Sequence, residues 1–266
     1  MSCQGVLPPL DAAVFADTGW EPKAVYRHLD WLTAEAAKYG VPVHRVCAGN
    51  VREDALRYQV AYSGPMEERQ LQRGETADGQ TRWGAMPYFV LGPNGEKGMI
   101  RRQCTREYKL DPMRKWVRKF AGFPRYARIP VNHIEQWIGI SADEANRMRS
   151  SGERWRRNWF PLIELEKTRA GCLEWMRENG YPQPPRSACI GCPYRSKAEW
   201  RWLRDEEPES FQEAIEFDTA IRKCGGMRGE VFLHSKRVSL SEVDFGVADD
   251  ADPQLWIPGL CPACMT

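Results

Sequence analysis

Residues 10–49 read LDAAVFADTGWEPKAVYRHLDWLTAEAAKYGVPVHRVCAG, and this stretch decides the fold. LDAAVFADTG is a short apolar run closed by Asp17-Thr18-Gly19, the pattern of a buried strand running into a turn. In PKAVYRHLDWLTAEAAKYG, Val25, Leu29, Leu32, Ala36 and Tyr39 recur at helical spacing. Pro22 suits the first turn and Gly40 the C-terminal cap. VPVHRVCAG is a second apolar run. Strand, helix and strand at this spacing predict a βαβ unit with parallel strands, hence an α/β protein.

Outward from this unit, residues 63–82 are polar and Gly-rich, and are expected to form a loop of lid type. MPYFVLGPNGEKGMI predicts a hairpin around Pro-Asn-Gly-Glu. The basic segment RRQCTREYKLDPMRKWVRKFAG leads into a helix near Pro112. From Asn132 onward the chain reads mostly helical. Ser141 and Glu144 suggest a capping box, Thr168 a helix cap, and Pro208 a division between two short helices. FLHSKRVSLSEVDFG reads as extended or irregular. The expected organisation is an α/β nucleotide-binding-like domain over 1–130, with an incomplete first βα unit, and a helical, cysteine-bearing region over 131–266.

The chain has 266 residues, of which 42% are apolar and 28% charged, so it can bury a core without disulfide staples and is not disordered throughout. Its net charge is +2, but residues 95–130 carry eleven Lys or Arg against three Asp or Glu. A basic middle favours an anionic ligand such as a nucleotide or nucleic acid. No apolar run reaches the roughly 20 residues a membrane helix needs. The N-terminus lacks the basic-then-apolar signal pattern. A cytoplasmic protein with no membrane partner is the expectation.

Nine cysteines include two pairs two residues apart, Cys189 with Cys192 and Cys261 with Cys264. Such pairs converge on one metal through a tight turn, which predicts a metal site holding zinc or an iron–sulfur cluster. Cys104 lies among Arg101, Arg102 and Arg106, which would lower its thiol pKa and ready it for ligation or attack. Cys47 and Cys172 read as small core residues. Asp17-Thr18-Gly19 lies at the carboxyl end of a parallel strand, where α/β sheets bind ligands. Asp17 could meet a nucleotide or its magnesium, or simply close the turn. Arg101, Arg102, Arg106 and Lys109 could clamp phosphate or sulfate. Arg147, Arg149, Arg154, Arg156 and Arg157, interleaved with Trp155 and Trp159, form a second basic cluster. Neither GxxxxGK[ST] nor GxGxxG occurs.

Four stretches carry a family resemblance: VFADTGWEPKAVYRHLDWL, RRQCTREYKLDPMRKWVRK, IEQWIGISADEANRMRSS with NWFPLIE, and TRAGCLEWMRENGYPQPPRSACIGCPYRS. Spanning residues 11–224, the chain resembles the phosphoadenosine phosphosulfate reductase-like branch of the adenine nucleotide alpha-hydrolase (PP-loop ATP pyrophosphatase) superfamily, near phage and bacterial members related to DNA phosphorothioation. The resemblance implies a Rossmann-like core binding ATP or an adenylyl sulfate nucleotide. It implies nucleotide-dependent sulfur transfer or reduction of activated sulfate, with tRNA, DNA or a small sulfur compound as acceptor and a sulfur-donor or redox protein as partner. Asp17 and Cys104 take the catalytic positions. Cys104, Cys189 and Cys192 match cysteines that hold a [4Fe–4S] cluster in relatives, with Cys261 or Cys264 as fourth ligand. The family's Ser-Gly-Gly-x-Asp-Ser phosphate loop has no counterpart, since MSCQGVLPPLD stands in its place. The alternative expectation is a catalytically degenerate, metal-stapled relative that binds nucleic acid or protein.

Overall fold

A computed structural model describes residues 1–63, 86–124, 126–223 and 229–246, with side chains of 58–63 excepted. The chain is an α/β protein with parallel strand pairs and a helical, cysteine-bearing C-terminal region. The expected loop from residue 64 onward, Cys224, Cys261 and Cys264 lie outside the described residues.

The βαβ unit forms as the sequence predicts. Strand β1 (Ala13–Asp17) pairs in parallel with β2 (Val43–Cys47), in a register that sets Asp17 beside Cys47. Helix α1 (Lys23–Ala37) connects them and buries the stripe Val25, Leu29 and Ala36. Leu32 and Tyr39 stay exposed. The first amides of α1 have no intrahelical acceptors, and the distant carboxylate of Glu207 supplies them. It accepts from Lys23 N at 2.9 Å and from Ala24 N at 2.6 Å. Helix α2 (Val51–Ser63) follows β2, with Asn50 Oδ1 accepting from the amides of Arg52 and Glu53.

The expected hairpin is present. Strands β3 (Phe89–Leu91) and β4 (Lys97–Met99) pair antiparallel, and β7 (Glu230–Phe232) joins β3 on its other edge. A π-helical turn, Thr105–Leu110, runs into helix α3 (Asp111–Phe120).

The region after Asn132 is less helical than its sequence suggests. IEQW forms strand β5 (Ile134–Trp137), paired in parallel with β6 (Arg156–Trp159). Ser141 heads a 3-10 turn, Ala142–Arg147, and its side chain makes no capping bond. Helices α4 (Pro161–Glu164) and α5 (Arg169–Glu178) follow, the latter capped by Thr168 as expected. Helix α6 (Lys197–Glu206) carries a complete capping box between Ser196 and Glu199, and Pro208 starts α7 (Pro208–Ala220).

One apolar cluster spans the chain. Trp20, Val51, Met86 and Tyr108 pack with Trp200, Leu203, Phe217, Leu233 and Phe245. Both sides of residue 130 therefore share a core, and β7 adds a C-terminal strand to the β3–β4 sheet. No helix of the described residues is long and apolar enough to cross a membrane.

Candidate functional site

The carboxyl ends of β1 and β2 are stitched together by backbone. Val51 N donates to Thr18 O at 2.9 Å, and Asn50 Nδ2 donates to Gly19 O at 2.9 Å. Gly19 has φ +73°, and a Cβ there would stand 2.9 Å from both Asn50 Cα and Gly49 O. Only glycine meets both demands.

Asp17 is 1% exposed and fully engaged. It accepts from Gly19 N at 2.8 Å and from the Tyr26 hydroxyl at 3.0 Å, and it pairs with Arg45. Burial is the first cause that raises Tyr26 to about 12, so its hydroxyl stays a donor. These bonds give Asp17 the work of closing the strand-end turn.

The cysteine loop docks on the residue after this turn. Ile190 N donates to Trp20 O at 2.9 Å. Gly191 lies against the Trp20 ring so closely that a Cβ would fall 2.4 Å from Cη2. The loop is held from its other side by Arg195, which donates to the carbonyls of Ala188, Cys189 and Ile190. This fixes Cys189 Sγ 3.1 Å from Thr18 Oγ1 and 3.8 Å from Glu21 Oε1. Thr18 Oγ1 also donates to Glu21 Oε1 at 3.0 Å. The π-helical turn brings Lys109 Nζ to 3.8 Å from the same carboxylate oxygen. Glu21 is 3% exposed, and its Oε2 has no hydrogen-bond partner among the described residues.

Cys104, Cys189 and Cys192 share this neighbourhood. Burial alone would lower Lys109, yet Glu21 and all three thiols outweigh it and raise the ammonium above its usual range. The Cys104 thiol is pushed up to about 11, first by burial and then by Cys192, with Arg102 and Lys109 opposing. Cys189 is raised well above the ordinary thiol value, by burial first and by Glu21 second. The expected lowering of Cys104 by its arginines is thus reversed. Desolvation of the thiol, with Cys192 adding to it, outweighs the two cations.

The expected metal centre is corrected as well. Among the described residues no group of three or more His, Cys, Asp or Glu side chains could hold a metal ion. Neither an iron–sulfur cluster nor zinc on Cys104, Cys189 and Cys192 accords with that arrangement. The physical reason lies in burial and in Lys109. Burial holds the Cys104 and Cys189 thiols in their protonated form, whereas ligation needs thiolates, and the ammonium beside them repels a cation.

The basic residues divide. Lys109 stands in the thiol basin, and Arg102 acts on Cys104 while its guanidinium lies 5.8 Å from the Tyr194 ring centroid. Arg101 is exposed, and Arg106 faces Asp111 at 3.6 Å. In the second cluster, Arg147 pairs with Glu144, Arg157 with Glu135, and Arg156 with both Gln136 and Glu153. Cys47 is exposed and Cys172 half-buried, so neither is a core residue.

Glu21 was not foreseen from the sequence. Its place before Pro22 reads as an ordinary acidic start to a helix, and only the return of residues 109 and 189 makes it part of a site. Chemically, the basin offers protonated thiols, a carboxylate oxygen able to accept a thiol proton, and an ammonium able to pair with thiolate or ligand anion. Comparison with protein-family models, curated proteins and solved structures finds no match.

Proposed function

We propose that the chain is a nucleotide-dependent sulfur-transfer or phosphoadenosine phosphosulfate reductase-like enzyme, working through thiols rather than through a metal centre. The observation that supports this most is the meeting of Cys104, Cys189, Cys192, Glu21 and Lys109 at the carboxyl end of β1. Open α/β sheets bind ligands at that edge. Lys109 supplies positive charge for a phosphate or sulfate group. Glu21 takes the Cys189 proton, and Lys109 then pairs with the thiolate, which is the nucleophile.

In the reductase form of this reading, the thiolate attacks the sulfur of an adenylyl sulfate nucleotide. The sulfur–oxygen bond to the nucleotide breaks, and the adenosine phosphate leaves with that electron pair. A second thiolate attacks the sulfonated cysteine, forms a disulfide and releases sulfite. The protein dithiol is oxidised as the sulfur is reduced. Arg147, Arg156 and Arg157 are engaged with their own chain, which favours a small sulfur compound over tRNA or DNA as the acceptor.

The test is calorimetric titration of the full chain with ATP and with adenosine 3′-phosphate 5′-phosphosulfate, followed by mass spectrometry of the cysteine peptides. The expected result is binding of one of the two, weakened roughly tenfold or more in Lys109→Met, and a sulfonate adduct when the sulfated nucleotide is used. Absence of binding by both at millimolar concentration would overturn the reading.

A further inference from the structure

A cavity lies between α1 and the Pro-rich segment before the cysteine loop. Its volume is about 400 Å3, within the range of small-molecule sites. Ala24, Arg27, His28 and Trp31 line it from one face of α1, as their three- and four-residue spacing requires. Pro182, Pro184 and Pro185 form an apolar wall, and Trp202 adds a second indole. The Trp31 ring lies 5.1 Å from His28 and 5.6 Å from Tyr181, so the aromatic side of the cavity is already assembled.

The lining itself carries three guanidiniums, Arg27, Arg186 and Arg195, against one carboxylate, Glu199. Arg186 pairs with Glu199, whose other oxygen accepts from Ser196 N at 2.7 Å. That carboxylate is therefore used. Arg27 is 3.6 Å from Glu207, but Glu207 also caps α1. Arg195 is 7% exposed, and the hydrogen bonds from its Nε and Nη2 go to backbone carbonyls. Burial, the largest cause, lowers it, and Cys192, Glu21 and Cys189 act on it electrostatically. His28 is held below the ordinary imidazole range by burial and adds no charge at neutral pH. The cavity thus joins flat apolar walls to a surplus of guanidinium.

We propose that this cavity is a binding site for a flat aromatic anion of one or two rings, such as an aromatic carboxylate or sulfonate. Its ring would lie against Trp31, Trp202 and the prolines, and its anionic group would meet the guanidinium edge. The site borders the cysteine loop through Arg195, but ligand binding there does not depend on the activity proposed for the thiol basin.

The experiment is calorimetric titration of the full chain with naphthalene-2-carboxylate, and in parallel with the uncharged naphthalene-2-carboxamide. The carboxylate should bind at least about tenfold more tightly than the amide. Trp31→Ala should weaken it by a similar factor. Ala24→Phe, which fills the cavity while leaving its aromatic and charged lining residues in place, should abolish it. Lys109→Met should leave it unchanged. Thermal melts establish that each variant is folded, and Ala24→Phe decides the matter if Trp31→Ala does not fold. Equal affinity for acid and amide, carboxylate binding that survives Ala24→Phe, or no binding at millimolar concentration would each overturn the proposal.

Discussion

Thr18 Oγ1 and Cys189 Sγ stand 3.1 Å apart although 171 residues separate them in the chain. The contact joins the end of β1 to the cysteine loop, and burial at this junction is the first cause that raises the thiols there. With Cys104 raised to about 11 and Cys189 raised well above its usual value, both are protonated at neutral pH. Iodoacetamide should therefore modify exposed Cys47 before either of them. Peptide mapping over time checks this, and the Cys104 rate should climb steadily as the solution is made alkaline. A Cys104 that reacts as fast as Cys47 near neutrality contradicts the described burial.

Gly191→Ala tests the docking of the loop. The added methyl would fall 2.4 and 2.6 Å from two atoms of the Trp20 ring, which is 4% exposed and packed edge-on against Phe217. Overpacking of this kind costs about 1–3 kcal/mol. Urea denaturation followed by tryptophan fluorescence should show a lower midpoint and an altered native spectrum.

Asp218→Ala should be among the most damaging single changes. The side chain is 0% exposed, accepts from Leu233 N at 2.7 Å and Leu240 N at 3.1 Å, and pairs with Arg222. Its loss leaves two buried amides and a largely buried guanidinium without their acceptor, at a cost of about 3–5 kcal/mol. A melting temperature close to that of the parent chain would contradict this account of the C-terminal packing.

Two histidines make stability depend on pH. Burial is the first cause that holds His28 and His234 below the ordinary imidazole range; at His234, Lys236 adds to it and Asp218 opposes it. A folded value below the unfolded one means that the unfolded chain binds more protons. Each contribution is complete above about pH 6.5 and is lost as pH falls through the folded value. The melting temperature should drop between about pH 7 and 5, and His234→Gln should flatten that drop.

The βαβ unit was legible because its signals are local: an apolar run, a helical stripe, and Gly19 and Gly40 where the chain must turn with positive φ. The β5–β6 pair was not. Ile134, Trp137 and Ile138 are three and four apart, which imitates a helix, and the partner strand that settles the matter begins only at Arg156. The two Ser-x-x-Glu segments are indistinguishable by pattern. Glu144 leaves helical geometry, with φ −111° and ψ 18°, and bonds Arg147, whereas Glu199 completes its box. At the site, spacing could draw attention to Cys189 and Cys192. It could not reveal that Lys109 and Glu21 would occupy their company, because that follows from burial and long-range packing.

The central claim is that the thiol basin at the end of β1 receives an adenine nucleotide, and protection from alkylation tests it most directly. Under mildly alkaline conditions, saturating adenosine 3′-phosphate 5′-phosphosulfate or ATP should slow iodoacetamide labelling of Cys104 and Cys189 while leaving exposed Cys47 unaffected. Labelling rates at all three cysteines that do not change with either nucleotide would contradict it.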